Sequence, residues 1–469
     1  MEQISAMANN TSNWVGPGIP WSLRGGFILV PLVHSAGMNI VTLLAFRFLT
    51  DNLAISAALA GIMFAFVKVY DGLLDPVLGT LSDRTRGRWG RRLPFLLVGA
   101  LLMPLAVIAI FNPPNFSSLL ALQTFIVVAL MLHASAYTAL TIPGMAMLVE
   151  ASSDYHRRST LMSYRVLGNS IGVLFGSTIP AWLLSRWGPT RGGHGRMALV
   201  IAGVLIVAGV MAVLLLRNAP RTQPTRIEAQ TFADRFRLAW TNKPFRILAL
   251  THIFVLIGTA ITSIGNAYFN KYVLRLGDGW LGTYYMIATV GSVASMPLWL
   301  KFGKAYGKKS GYMVSMAGFG VMHLSWLLVG ANEPYGLLVA RAVLTGFFSG
   351  GVILFAYSML SDAMRYDYIS SGLRREGAFA GITSLIDKLA AALGIAGIGF
   401  FLSGTGYVAS TAAAAAVQPP SAITAIYLTF TVVPGFAMLL AMATLRAYQL
   451  DERALQESNE VVDNTPASG

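Results

Sequence analysis

No cysteine occurs in the 469 residues. Disulfides, thiolate metal sites and cysteine nucleophiles are therefore excluded. Charge is scarce too. Asp, Glu, Lys and Arg make up 12% of the chain, against roughly 25% in a soluble domain. That is too little polar side chain to wrap a soluble enzyme of this length. Acidic residues are the scarcer sign, 20 against 34 basic, for a net charge of +14. The first twenty residues, MEQISAMANNTSNWVGPGIP, lack the apolar core of a cleavable signal, so the first apolar run is expected to direct insertion. No nucleophile–base or metal-ligand pattern appears. The sequence is therefore not read as an enzyme, and no cofactor or resident metal is expected.

What the chain has in quantity is apolar side chain, 55% of all residues, with a mean hydropathy of +0.62. The reading is an all-α polytopic membrane protein. A spanning helix needs about 20 apolar residues, and twelve runs qualify. The first six are Gly25–Phe48, Ala54–Leu81, Pro94–Phe111, Ser118–Val149, Leu161–Leu184 and Met197–Leu216. The second six are Phe245–Phe269, Gly279–Lys301, Gly311–Ala331, Gly336–Ala363, Ala378–Leu402 and Ala422–Leu445. The domains expected are a six-helix bundle over 1–216, a linker over 217–244, a second bundle over 245–447 and a tail over 448–469.

Basic residues set the orientation. With both termini inside, the inner segments hold 23 Lys and Arg and the outer segments 6. The positive charge thus belongs to cytoplasmic loops, and no nucleic-acid partner is expected. The loop after span two reads GTLSDRTRGRWGRR, and the loop after span eight reads FGKAYGKK. Glycine and basic residues recur at the matching place, as a repeat of six spans requires. A chance echo between two basic loops would look the same.

Asp71 and Asp75 lie four residues apart in span two, which puts them one turn apart on one helix face. Lys68 precedes Asp71 by three and shares that face. Ionisable groups at membrane depth mark an ion or substrate path by default. A buried salt-bridge lock is the other reading. One Lys cannot neutralise two carboxylates, so a bound cation or proton is the simplest balance for the second.

Asp71-x-x-x-Asp75-Pro76-x-x-Gly79, followed by Arg88-Trp89-Gly90-Arg91-x-x-Pro94, resembles the glycoside–pentoside–hexuronide:cation symporters of the major facilitator superfamily. A second match is Asp362-x-x-x-x-Asp367 and Gly372-x-Arg374-Arg375-Glu376-Gly377, with Lys388 beyond it. The resemblance implies two bundles of six helices, a central cavity, and symport of a sugar, glycoside or uronide with H+ or Na+ by alternating access. It places Asp71, Asp75, Lys68, Thr138 and Lys388 in the coupling set. It places Ser35, Asn39, His133, Tyr137, Thr141, Met145 and Arg165 along the substrate cavity. Asp83 and Arg84 are read as a cytoplasmic gate. A monomer in the plasma membrane is expected, its partners a small-molecule substrate, a monovalent cation and the lipid bilayer.

The departures matter as well. Leu74 stands where melibiose-type carriers have an amide ligand for sodium, which favours protons. Thr141, Met145 and Ser35 replace a sugar-binding Asp, a stacking Trp and another Asp. These losses argue against a galactoside. They leave open a non-sugar substrate (lipid-like, an organic acid or aromatic), and less favourably a non-transporting sensor. Any of these small residues is also compatible with plain helix packing. Four histidines lie in spans, His34, His133, His252 and His323, and each is read as packing or proton relay; His133 shares a face with Tyr137 and Thr141.

Overall fold

The structure, a computed structural model, describes residues 19–85, 89–152, 155–219, 240–329, 333–371, 376–411 and 417–450. The basic residues Arg86 and Arg88, most of the linker, Gly372–Arg375 of the second motif and the tail from 451 lie outside the described residues.

Twelve long helices are described: α1 Trp21–Asn52, α2 Ala57–Arg84, α3 Leu93–Phe111, α4 Leu119–Glu150, α5 Tyr155–Trp187, α6 Arg191–Leu216, α7 Lys243–Leu274, α8 Asp278–Tyr306, α9 Lys308–Leu328, α10 Tyr335–Ser371, α11 Glu376–Gly404 and α12 Pro420–Leu445. Each overlaps one of the twelve apolar runs. A backbone in hydrocarbon must pair all its polar groups internally, and helices achieve this within one segment. Eleven of the twelve are long and apolar enough to cross a membrane; α8, rich in Gly, Ser, Thr and Tyr, is less apolar than these. Large apolar side chains also face outward, with Leu120 at 71% exposed and Val207 at 62%. In water such a surface would aggregate, whereas lipid tails accept it.

The chain forms two compact units. One holds α1, α2 from Phe66 onward, and α3 to α6; the other holds α7 to α12 together with Ala57–Ala65. In the first unit, α1 packs along α5 through a row of glycines. A Cβ built on Gly172 falls 2.5 Å from the Leu32 carbonyl oxygen, and Gly168 and Gly176 meet Ile28 and Ala36 as closely. Small residues every fourth position let two backbones touch, which gains van der Waals contact where no hydrophobic effect drives association. Gly346 and Gly350 of α10 meet Ala288 and Ser292 of α8 in the same way in the second unit. Gly307, at φ +86°, makes the single-residue turn between α8 and α9.

Because these neighbours are backbone, they cannot swing aside. Gly172→Val should destabilise the first unit by about 1–3 kcal/mol, the usual range for overpacking. Size-exclusion profiles of the detergent-solubilised protein check this: a monodisperse peak and melting curve equal to the parent's would show that α1 and α5 tolerate separation.

Candidate functional site

The carboxylates of α2 meet a hydroxyl from α4. Thr138 Oγ1 lies 3.0 Å from Asp71 Oδ1 and 3.0 Å from Asp75 Oδ1. Thr138 is 0% exposed and Asp71 is 3% exposed. One turn earlier, Tyr70 and Ser135 hydrogen bond at 2.8 Å and fix the register of α2 on α4. A threonine hydroxyl has one hydrogen to donate. It can serve one carboxylate at a time, and a proton on an aspartate would make the second contact a hydrogen bond as well. Lys68, half-buried on α2, directs its ammonium toward Met38 Sδ of α1 at 3.9 Å. Lys388 lies on α11 in the second unit.

The residues expected along the substrate path divide. Thr141, Met145 and Arg165 line a cavity of about 210 Å³ among α1, α4 and α5, with Phe27, Pro31 and His34 among the other walls. Thr141 donates to the Tyr137 carbonyl at 2.9 Å, so its hydroxyl oxygen remains the accepting atom at the wall. Ser35 donates to Asn169 Oδ1 at 2.5 Å, and Asn39 donates to the Ser35 carbonyl at 2.8 Å. His133 meets the Gly37 carbonyl at 3.0 Å. Tyr137 stands edge-on to His34, ring centres 5.4 Å apart. Sequence reading treated His34 only as a span histidine. The signal that could have found it is the spacing of Phe27, Pro31 and His34, which is helical and puts all three on one face of α1.

At the end of α2, Asp83 pairs with Arg92. Arg92 also donates to Ser82 Oγ at 2.7 Å and to Glu150 at 3.1 Å, and Arg91 reaches the same Glu150 oxygen at 2.9 Å. Glu150, at the end of α4, was not singled out from the sequence. Arg84 is exposed; the partner of Asp83 is Arg92. The second unit has a counterpart: Lys308, opening α9, holds Asp362 of α10 at 2.6 Å.

In the second unit a larger cavity of about 400 Å³ opens among α7, α9, α10 and α11. His252 of α7 is on its wall and pairs with Asp387 of α11 at 3.0 Å. The sequence reading passed over Asp387.

Residues 26–452 match the family described as MFS/sugar transport protein. The putative glycoside/cation symporter YagG of Escherichia coli is 28% identical over 90% of this chain and 90% of its own length. The glucuronide carrier protein homologue of Escherichia coli is 25% identical over 95% of this chain and 96% of its own. Among solved structures, a bacterial homologue of the human lysosomal transporter Spinster superposes with a TM-score of 0.65. It is 14% identical and covers 95% of this chain and 99% of its own. That likeness is one of fold.

Glu150 is the shared acceptor of two arginines that are mostly buried. Removing its charge takes one carboxylate from both cations, Arg92 keeping Asp83, at a cost of about 2 kcal/mol. Glu150→Gln should therefore lower the melting temperature of the purified protein by several degrees. An unchanged melt would assign the network to orientation in the membrane alone.

Proposed function

Because the chain belongs to the MFS/sugar transport protein family, we propose that it works as a cation-coupled secondary symporter for a sugar or glycoside, with Asp71, Thr138 and Asp75 as its coupling site and the proton as its ion. It is a multi-pass membrane protein, set by its basic loops with both termini on the cytoplasmic side.

The observation that carries the proton reading is the one hydroxyl between two carboxylates. A proton on Asp75 lets its carboxyl donate to Thr138 Oγ1 while Thr138 donates to Asp71, and every contact is then a hydrogen bond. Sodium would need several oxygens to replace its water, and Leu74 between the carboxylates offers none. Loss of the proton returns a second negative charge one turn from the first, which raises the energy of the empty site. Binding and release of the proton thus bias the carrier between its states. Asp83, Arg92 and Glu150 supply the cytoplasmic lock in this reading.

The substrate we propose is a sugar with an acidic substituent. Arg165 lines the α1–α4–α5 cavity, no residue lining that cavity is acidic, and Arg165 has no ion pair among the described residues. A guanidinium at membrane depth calls for an anion, and its planar fork fits a carboxylate. Thr141, where a carboxylate would have balanced that charge, leaves the balancing to the ligand.

Uptake into vesicles tests the coupling. In sodium-free buffer, accumulation should follow an inward proton gradient and collapse with a protonophore. Asp75→Asn should abolish accumulation while downhill flux survives. Strict need for sodium at constant pH would overturn the proton. Accumulation at the parent level by both Asp71→Asn and Asp75→Asn would overturn the site itself.

The substrate has its own test. Arg165→Gln should raise the half-saturation concentration for a uronide at least tenfold, the scale of one charged hydrogen bond. The neutral sugar with the same ring should change by no more than a few-fold. Equal losses on both would put Arg165 on ring hydroxyls and remove the requirement for an acid.

A further inference from the structure

Four histidines lie in the apolar runs of the spanning helices, and their partners differ. His34 is beside Ser35 Oγ at 3.3 Å, His133 meets the Gly37 carbonyl and His323 meets the Phe430 carbonyl. Among them His252 is the one with a carboxylate partner, Asp387 Oδ1 at 3.0 Å from its Nε2. His252 lines the cavity of the second unit, and the two side chains are 18% and 36% exposed. We propose that His252 and Asp387 form a second proton-binding site, separate from the Asp71–Thr138–Asp75 set and independent of the sugar reading.

The argument is one of charge at depth. With a neutral imidazole, His252 Nε2–H donates to ionised Asp387 and the pair carries −1. One added proton on Nδ1 makes it an ion pair with a net charge of zero. The proton leaves a water-borne donor and takes the Nδ1 lone pair; the bond to Asp387 stays in place. Most of the cavity wall is apolar, with Phe245, Leu248, Leu360 and Ile386 closest in kind to lipid. Such surroundings penalise a net charge and tolerate a neutral pair better. Thr383, one turn before Asp387, spends its hydroxyl hydrogen on the Phe379 carbonyl.

The other titratable groups around the pair do not supply the missing positive charge. Tyr357 of α10 stands edge-on to the imidazole, ring centres 6.5 Å apart. Tyr312 of α9 lines the same cavity. From α12, Thr444 reaches this stretch of α7 through Thr251, and Tyr448 beyond its end joins the apolar cluster with Phe245. Asp362 of α10 is held by Lys308. Lys388 follows Asp387 and so points about 100° away round the helix.

The experiment uses the full chain in lipid nanodiscs. Hydrogen–deuterium exchange at the imidazole C2, resolved by peptide mass spectrometry, gives a titration curve for each histidine without any substrate. In Asp387→Asn the His252 midpoint should fall by about one pH unit or more. Asp71→Asn, which alters the other site, should leave it in place and serves as the folded control. In proteoliposomes the pH dependence of counterflow should lose the limb that coincides with this midpoint in His252→Gln. A midpoint indifferent to Asp387→Asn, or a His252 locked in one state from pH 5 to 9, would overturn the site. Normal titration with a parental pH profile in His252→Gln would also overturn it, leaving a structural pair.

Discussion

At membrane depth Asp71 and Asp75 meet on the hydroxyl of Thr138, and α2 and α4 are set around that contact. α2 must carry both carboxylates on the face turned to α4, and α4 must bring Thr138 between them. The Tyr70–Ser135 bond holds the two helices in register one turn away. A guanidinium likewise stands among mostly apolar walls in the α1–α4–α5 cavity. In water neither arrangement would matter much, since solvent would balance each charge. In hydrocarbon an unbalanced charge is costly, so its partners decide the arrangement.

The twelve helices could be read in the sequence because the signal is length and apolarity, which survive without tertiary knowledge. Asp71 and Asp75 could be read because their spacing is local. Thr138 needed the family resemblance to single it out, since a threonine in an apolar run has no signature of its own. Glu150 and Asp387 went unread for a related reason. Each is an isolated acid whose meaning comes from a partner at long range, Arg92 for one and His252 for the other. Arg84 and Arg92 are alike in a sequence of basic residues; the start of α3 is what brings Arg92 to Asp83.

The internal repeat is also better defined in three dimensions. Basic residues open the third helix of each unit, Arg92 before α3 and Lys308 in α9. Each reaches an acid in the C-terminal part of the fourth helix, Glu150 of α4 and Asp362 of α10. The residue types differ, so the echo in the loops alone was faint. Within each unit the pair ties a loop to a helix end, and the two copies divide the work unequally. The first includes a second arginine and Asp83, while the second is a single lysine bridge.

The glycine row between α1 and α5 has a mechanical consequence. Two helices in backbone contact along about two turns behave as one stiff beam, because sliding would drive Cα atoms into carbonyl oxygens. Arg165 stands three residues before Gly168 on α5, and His34 stands two residues after Leu32 on α1. Their separation is set by that beam and not by their own side-chain contacts. The spacing of these two sides of the cavity is therefore set by backbone contact. Side chains on this wall can be exchanged with the backbone ruler left as it is.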